Sequence, residues 1–407
     1  MSSVVGSERE VGYISLPRLT VSLIVLYVLV TPFANAGELY ALFTSRLTSQ
    51  TDLIGSLWVR YLRELLFVGI LISGFTLHVK LNRMPRLPLL AWAIGLLLTL
   101  HVALRSMVAG PGDLLLLAGV RWALPALLPF AVFLLPRTTS LRPVARAVIF
   151  VSFLHFGMQL VHFFTAPPWF GSNKWGFALR SPGVFLIPNT AAFFSIIVAF
   201  YADFASNMRP ASRLLLRLLC TVSVLLTASG TGVMVIMVYW LLLLTPRALR
   251  KLVYVGTPVF LLLLLLILPV LTGRGPNYVE ISGGTRLEIF QEAFEESRLV
   301  SLDFGHATNT AALLSGRGAE VTQSTIADSL VASVTLNSGR LGLALLVLIW
   351  LSGLLVSIRT SSLSFTLSFV IVTLFSLTTI VTEVRPAGIL AIMAMSWSYS
   401  CKDEQCT

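Results

Sequence analysis

The sequence predicts an all-α polytopic membrane protein, and three observations carry that prediction. Of 407 residues, 56% are hydrophobic and only 12% are charged, whereas soluble proteins carry about a quarter charged residues. The mean hydropathy is +0.87. Apolar runs of roughly 20 residues, the length that crosses about 30 Å of hydrocarbon, recur along the whole chain. A soluble globule and a disordered chain are both excluded.

Twelve apolar runs are long enough to be membrane spans. They lie near 17–36, 61–79, 87–107, 114–135, 144–166, 184–205, 212–229, 231–246, 251–272, 339–358, 362–382 and 386–400. Because these runs leave no room for a separate soluble domain, the sequence predicts one integral membrane domain over 1–407.

The net charge of +11 comes from basic residues that cluster in alternate predicted connections. The clusters are Lys80, Arg83 and Arg86; Arg137, Arg142 and Arg146; Arg209, Arg213 and Arg217; and Arg247, Arg250 and Lys251. Short connections rich in Lys and Arg remain cytoplasmic. Orientation in membrane lipid therefore explains the charge without a nucleic-acid partner, and both termini of this multi-pass chain are predicted to be cytoplasmic.

One predicted connection, 273–338 between spans 9 and 10, is far longer than the others and falls on the outer face. It contains eight of the 18 acidic residues of the chain. Within it, Thr285 and Glu288 have the spacing of a capping box, and apolar residues then recur at helical intervals, which predicts an amphipathic helix over 286–297. Ser324 is placed to cap a second helix that leads into the next span.

Three arginines are candidate anion-binding residues. Arg121 lies within an apolar span, where a guanidinium must face a polar cavity, pair with an acid or bind an anion. Arg180 opens a turn containing Pro and Gly at the outer surface. Arg286 begins the predicted loop helix after two glycines, a setting that suits a phosphate or diphosphate. For Arg121 and Arg286, a structural ion pair is the alternative interpretation.

Asp328, in the apolar approach to the tenth span, is a candidate general base. A first-turn acid that favours the helix dipole would look the same in sequence. His155 and His162 share one face of the fifth span, and the absence of further ligands there predicts interhelical hydrogen bonds rather than a metal site. The three cysteines predict neither a disulfide nor a metal site.

Several short motifs occur in an order that resembles the bacterial O-antigen polymerase and ligase superfamily, and the similarity in topology covers nearly the whole chain. The motifs are Gly119-Val-Arg121, Arg180-Ser-Pro-Gly183, Pro188-Asn189, Thr227-Ala-Ser-Gly-Thr-Gly232, Gly284-Thr-Arg286, Phe304-Gly305, Asp328-Ser329-Leu330 and Ser338-Gly339-Arg-Leu-Gly342.

The resemblance implies a C-type, metal-independent glycosyltransferase of the inner membrane that needs no cofactor. Its substrates would be undecaprenyl-diphosphate-linked oligosaccharides on the periplasmic face. It implies that Arg286, Arg180 and Arg121 bind the diphosphate, with Arg286 also catalytic, and that Asp328 orients or deprotonates the acceptor. A chain-length regulator and a flippase would be partners.

The resemblance favours a polymerase of O-antigen or exopolysaccharide repeat units over a ligase that transfers glycan to lipid A-core. Ligases carry His-Asn where this chain has Asp328-Ser329. A polytopic transporter or flippase of lipid-linked sugars is the third hypothesis. Such a carrier would place its charged site near the bilayer midplane and would normally show paired broken helices.

Overall fold

The computed structural model describes the helical bundle and part of its connections. The described residues are 15–36, 39, 57–81, 97, 100–101, 104, 124–132, 135, 137–165, 180–185, 187–204, 208–246, 287–295, 297–300, 329–360, 363–378 and 384–393. All regular secondary structure in these ranges is helical, which confirms the predicted all-α class. Among these described residues, three helical segments are long and apolar enough to cross a membrane: Leu16–Asn35, Arg142–Thr165 and Leu330–Ser352.

The helices are numbered in chain order. They are α1 Leu16–Val30, α2 Leu57–Leu81, α3 Leu128–Val132, α4 Arg137–Thr165, α5 Pro188–Phe204, α6 Pro210–Leu226, α7 Gly230–Leu244, α8 287–295, α9 Leu330–Thr360, α10 Leu363–Ser376 and α11 385–393. Short 3-10 turns occupy Thr31–Asn35, Leu124–Leu127 and Gly183–Phe185.

Helix α5 is the centre of the bundle. Every residue from Ala191 to Ala202 is buried, and α4, α6, α7 and α10 all pack against it. A helix that is apolar on all sides must be enclosed by other elements or by lipid. Here protein encloses it, so α5 fixes the positions of the helices around it.

Helices α1 and α2 form an antiparallel pair beside this centre. Thr20 Oγ1 donates to Ser73 Oγ at 3.0 Å, and the rings of Tyr27 and Phe67 are 5.8 Å apart. At Gly74 the backbone of α2 approaches α3 so closely that a Cβ would overlap the backbone of Ala131. A small residue therefore permits this crossing.

The bundle has two polar ends. At the first, called the Asn189 end, α5 and α7 begin and α6 ends. The C-terminus of α1 lies there too, because Asn35 Nδ2 donates to the Val184 carbonyl at 2.8 Å. At the opposite end, called the Asp203 end, α5 and α7 end and α6 begins.

An ionic network joins α5, α6 and α7 at the Asp203 end. The buried Asp203 carboxylate accepts from the Arg217 guanidinium, with Nε 3.1 Å away, and from the Tyr239 hydroxyl. The guanidinium carbon lies 5.2 Å from the centre of the Trp240 ring, and Trp240 Nε1 donates to Thr221 Oγ1 at 3.0 Å. Each polar group of this network is therefore satisfied by a neighbouring helix.

Some of the basic residues that were predicted to lie in connecting segments lie in helices instead. Arg142 and Arg146 lie within α4, and Arg213 and Arg217 lie within α6. Helix α4 begins at Arg137, before the predicted run 144–166, and α6 begins at Pro210, before the predicted run 212–229. Arg213 Nη2 donates to the Met208 carbonyl at 3.1 Å.

The long connection contains a helix, α8, within the range predicted for it, and α8 packs on the first part of α9. Ala293 and Ala332 are buried against each other. Helix α9 is interrupted at Gly339, whose φ of 75° and ψ of −171° suit glycine and are strained for other residues. The N–H groups of Arg340 and Leu341 donate to the Arg298 and Leu299 carbonyls, each at 3.0 Å.

Candidate functional site

The turn after Arg180 is built into the Asn189 end. Ser181 N–H donates to the Leu226 carbonyl of α6 at 2.9 Å, and Asn35 of the α1 end holds the Val184 carbonyl. Gly183 has a φ of +57°, which lets the chain reverse there. Residues 181–185 are buried and Arg180 is half-buried, so the turn presents this arginine from a fixed backbone.

Gln159 of α4 connects this turn to α6. Its Nε2 donates to the Ser181 carbonyl at 2.9 Å and to the Ser223 carbonyl at 3.0 Å. Its Oε1 accepts from Ser223 Oγ at 2.5 Å, and Ser195 Oγ of α5 lies 2.8 Å from Ser223 Oγ. A buried polar network that is satisfied in this way holds its elements in one arrangement.

His155 packs against the same turn, one helical turn from Gln159. Its ring meets Phe185 and Phe194 edge-on, with centroids 5.2 and 6.0 Å away. Among the described residues, neither of its ring nitrogens has a hydrogen-bond partner, so the expectation of interhelical hydrogen bonds is wrong for His155. The reason is steric, because Gly183 and the two rings surround the imidazole; a Cβ on Gly183 would lie only 2.5 Å from Nδ1.

Two motifs that stand far apart in the sequence meet beside this turn. Ser229 Oγ donates to Asn189 Oδ1 at 2.7 Å, and Asn189 Nδ2 donates to the Thr378 carbonyl at 3.2 Å. Ser229 also caps α7, since its Oγ accepts from Gly232 N–H at 3.1 Å. The Pro188-Asn189 and Ser229-Gly-Thr-Gly232 motifs are thus parts of one polar layer, which includes the end of α10.

A buried ion pair, not anticipated from the sequence, lies toward the same end. The Arg385 side chain is 3% exposed, and its Nη1 donates to Glu64 Oε2. Its guanidinium carbon lies 4.3 Å from the centre of the Phe67 ring. Arg63 Nη2 stands 3.8 Å from the other oxygen, Oε1. The signal available in sequence was a charged residue between two apolar runs, directly before Pro386.

Of the four predicted site residues, Arg180 is described, and Arg121, Arg286 and Asp328 lie outside the described residues. The neighbours of two of them are informative. The first described residue of α8 is 287, next to Arg286 in the sequence. Ser329, next to Asp328, caps α9 by accepting from Ala332 N–H at 3.1 Å. In sequence, the two positions are therefore close to two helices that pack together.

Anion binding by Arg180 at this end of the bundle stays a prediction. Within the described part of the chain, no group of three or more His, Cys, Asp or Glu side chains could hold a metal ion. The chain matches no protein-family model, no curated protein and no solved structure.

Proposed function

We propose that this protein is a bacterial inner-membrane glycosyltransferase that polymerises undecaprenyl-diphosphate-linked repeat units into O-antigen or exopolysaccharide. The observation that carries the proposal is the turn after Arg180, which holds a guanidinium on a buried backbone at the polar Asn189 end. The order of short motifs along the chain, described above, supports the same class of enzyme.

Transfer of a glycan from a lipid diphosphate leaves an anion at the membrane surface. Catalysis then needs cations fixed where that charge develops and an acceptor hydroxyl held in line. The turn after Arg180 is fixed by α1, α4 and α6, so the backbone that carries this arginine requires little rearrangement when the diphosphate arrives. The activated anomeric linkage of the donor supplies the driving force, and no nucleotide is consumed.

In this proposal Arg286, Arg180 and Arg121 bind the diphosphate, and Asp328 orients or deprotonates the acceptor hydroxyl. In sequence, Arg286 is next to the first described residue of α8, and Asp328 is next to Ser329, which caps α9. Helix N-termini favour anionic groups. The packing of Ala293 against Ala332 supports a common location for these two helices. The glycan would be transferred to another lipid-linked repeat unit rather than to lipid A-core.

The proposal places the Asn189 end outside and both termini in the cytoplasm, with twelve spans. Reporter fusions ending after Lys251 are expected to be active only with a cytoplasmic reporter. Fusions ending within 290–320 are expected to be active only with a periplasmic reporter, because the basic residues cluster in alternate connections. Cytoplasmic activity of the 290–320 fusions would contradict the proposed catalytic face.

Deletion of the gene tests the activity itself. Loss of a polymerase is expected to leave single repeat units exported and unpolymerised, which gel analysis of lipid-linked glycans detects. Loss of a ligase would instead leave long chains on undecaprenyl diphosphate. Loss of a flippase would leave single units inaccessible to an external glycosidase, so the three hypotheses give three different results.

Point variants connect the activity to the proposed residues. Arg286→Lys keeps the charge and loses the planar fork that contacts two phosphate oxygens, and Asp328→Asn keeps the shape and cannot accept a proton. Each is expected to reproduce the deletion phenotype at normal protein level. Arg142→Gln, an exposed arginine of α4, serves as the control and should polymerise normally. Normal polymer in either site variant would remove that residue from the mechanism.

A further inference from the structure

The buried pair of Arg385 and Glu64 has an arrangement that suits exchange of its anion. The two side chains differ in exposure, at 3% for Arg385 and 28% for Glu64. The acid therefore has a route to the surface of the bundle, and the cation lies behind it. An anion entering from that surface would meet Glu64 first and Arg385 second.

Phe67 holds the guanidinium by a contact that does not involve Glu64. The Arg385 guanidinium carbon is 4.3 Å from the centre of the Phe67 ring, and Phe67 is itself fully buried against Tyr27. A cation over an aromatic face is attracted to it and is oriented by it. The guanidinium therefore keeps its position when the carboxylate moves away.

Arg63 gives the carboxylate a second partner. Its Nη2 lies 3.8 Å from Glu64 Oε1, so a Glu64 side chain displaced from Arg385 remains beside a cation. After the exchange the Glu64 carboxylate would lie beside Arg63 and the incoming anion beside Arg385. Both buried anionic groups would then have a cation next to them, as buried charges require.

The position of the Arg385–Glu64 pair in the bundle suits a ligand that is attached to a lipid. Phe67 contacts Tyr27 of α1, and Glu64 lies about one helical turn, roughly 5 Å, nearer to the end of α1 that holds Val184. The pair thus lies toward the Asn189 end, where the turn after Arg180 is built. A guanidinium binds carboxylate and phosphate oxygens with the same planar geometry.

We propose that Arg385 binds a phosphate oxyanion of the lipid-linked diphosphate, and that Glu64 occupies this position until the substrate displaces it. The inference rests on the proposed function, since the ligand is the diphosphate of that reaction. No bond is made or broken in the exchange. The contacts between Arg385 and the carboxylate are replaced by contacts to phosphate, and the proton count is unchanged.

The test is a binding titration of the purified full-length protein in nanodiscs with undecaprenyl diphosphate. A ligand that must displace an internal occupant binds with an affinity reduced by the fraction of open sites. Glu64→Gln removes the occupant's charge and is therefore expected to tighten binding about 10-fold. Arg385→Lys is expected to weaken binding by about the same factor. Glu292→Gln and Arg142→Gln, at exposed positions, are the matched controls and should bind as the wild type does.

The direction of the Glu64→Gln effect separates this proposal from a purely structural ion pair. Unchanged or weaker binding by Glu64→Gln would overturn the proposal, and so would unchanged binding by Arg385→Lys. In both cases diphosphate binding by the wild type would leave the proposed function intact. A wild type that binds no undecaprenyl diphosphate would overturn both.

Two further ligands distinguish the sources of the phosphate. Inorganic pyrophosphate is expected to compete for the site, but only at higher concentration than the lipid diphosphate. Tighter binding of pyrophosphate than of the lipid, or no competition at all, would overturn the assignment. Phosphatidylglycerol in the nanodisc is expected to leave the Glu64→Gln effect unchanged. If the variants alter only phosphatidylglycerol binding, the site takes an ordinary membrane lipid and the proposal is wrong.

Discussion

Asp203→Asn is expected to lower the free energy of unfolding by about 3 kcal/mol, because breaking a buried ion pair leaves its partner without compensation. Asp203 accepts hydrogen bonds from both Arg217 and Tyr239, so one substitution weakens contacts among three helices. The value is at the lower end for buried pairs because the Arg217 side chain remains 19% exposed. The measurement is the melting midpoint of the detergent-solubilised protein, which is the temperature at which half of it is no longer monodisperse.

Two control variants show whether the charge is responsible. Glu292→Gln also neutralises an acid, but at an exposed position of α8, and should leave the melting midpoint unchanged. Thr221→Val removes the two hydrogen bonds that the Thr221 hydroxyl makes with Trp240 Nε1 and the Arg217 carbonyl, and should cost about 1 kcal/mol. A midpoint for Asp203→Asn equal to that of Glu292→Gln would show that the network contributes little to stability.

Gly183→Ala is expected to destabilise the turn after Arg180 by about 2–5 kcal/mol. Overpacking of a tight site costs roughly 1–3 kcal/mol, and a left-handed backbone adds about 1–2 kcal/mol for a residue other than glycine. Both apply here, because φ is +57° and the new Cβ would lie 2.5 Å from His155 Nδ1 and 2.9 Å from Gln159 Cγ. Thermal stability and polymer formation should both fall.

The matched control is Gly157→Ala, on the α4 segment that carries His155 and Gln159. A Cβ at this position would meet nothing within 4 Å. Replacing a glycine in a helix interior by alanine stabilises the helix by about 0.5–1 kcal/mol. Gly157→Ala should therefore melt at or above the wild-type temperature. Equal effects of the two substitutions would contradict the tight packing of Gly183.

Much of the helical architecture is predictable from the sequence because apolar runs determine where helices form. The predicted runs 61–79 and 184–205 correspond to α2, Leu57–Leu81, and α5, Pro188–Phe204. The positions of these helices relative to one another are harder to predict from the sequence. Side chains that face lipid and side chains that face protein are both apolar, so an apolar run does not show whether other helices surround it, as they do α5, or whether its residues are exposed, as Trp58 and Leu65 of α2 are.

The candidate site is predictable only where local signals exist. Pro and Gly identify the turn after Arg180. By contrast, Glu64 and Arg385 are separated by 321 positions, and each alone resembles an ordinary charge at the end of a span. Their pairing depends on which helices become neighbours, and the periodicity of a single segment contains no information about that.

The break at Gly339 has a consequence for how the protein is made. The first N–H groups of a helix have no partner within it, and at this joint Arg340 and Leu341 obtain theirs from the carbonyls of Arg298 and Leu299. Synthesis proceeds at about 5–20 residues per second, so the acceptors leave the ribosome seconds before the donors that need them. A nascent chain that stops before Gly339 therefore lacks both of the N–H donors that contact the Arg298 and Leu299 carbonyls, and this joint between the segment after α8 and the second part of α9 forms only once synthesis has passed Leu341.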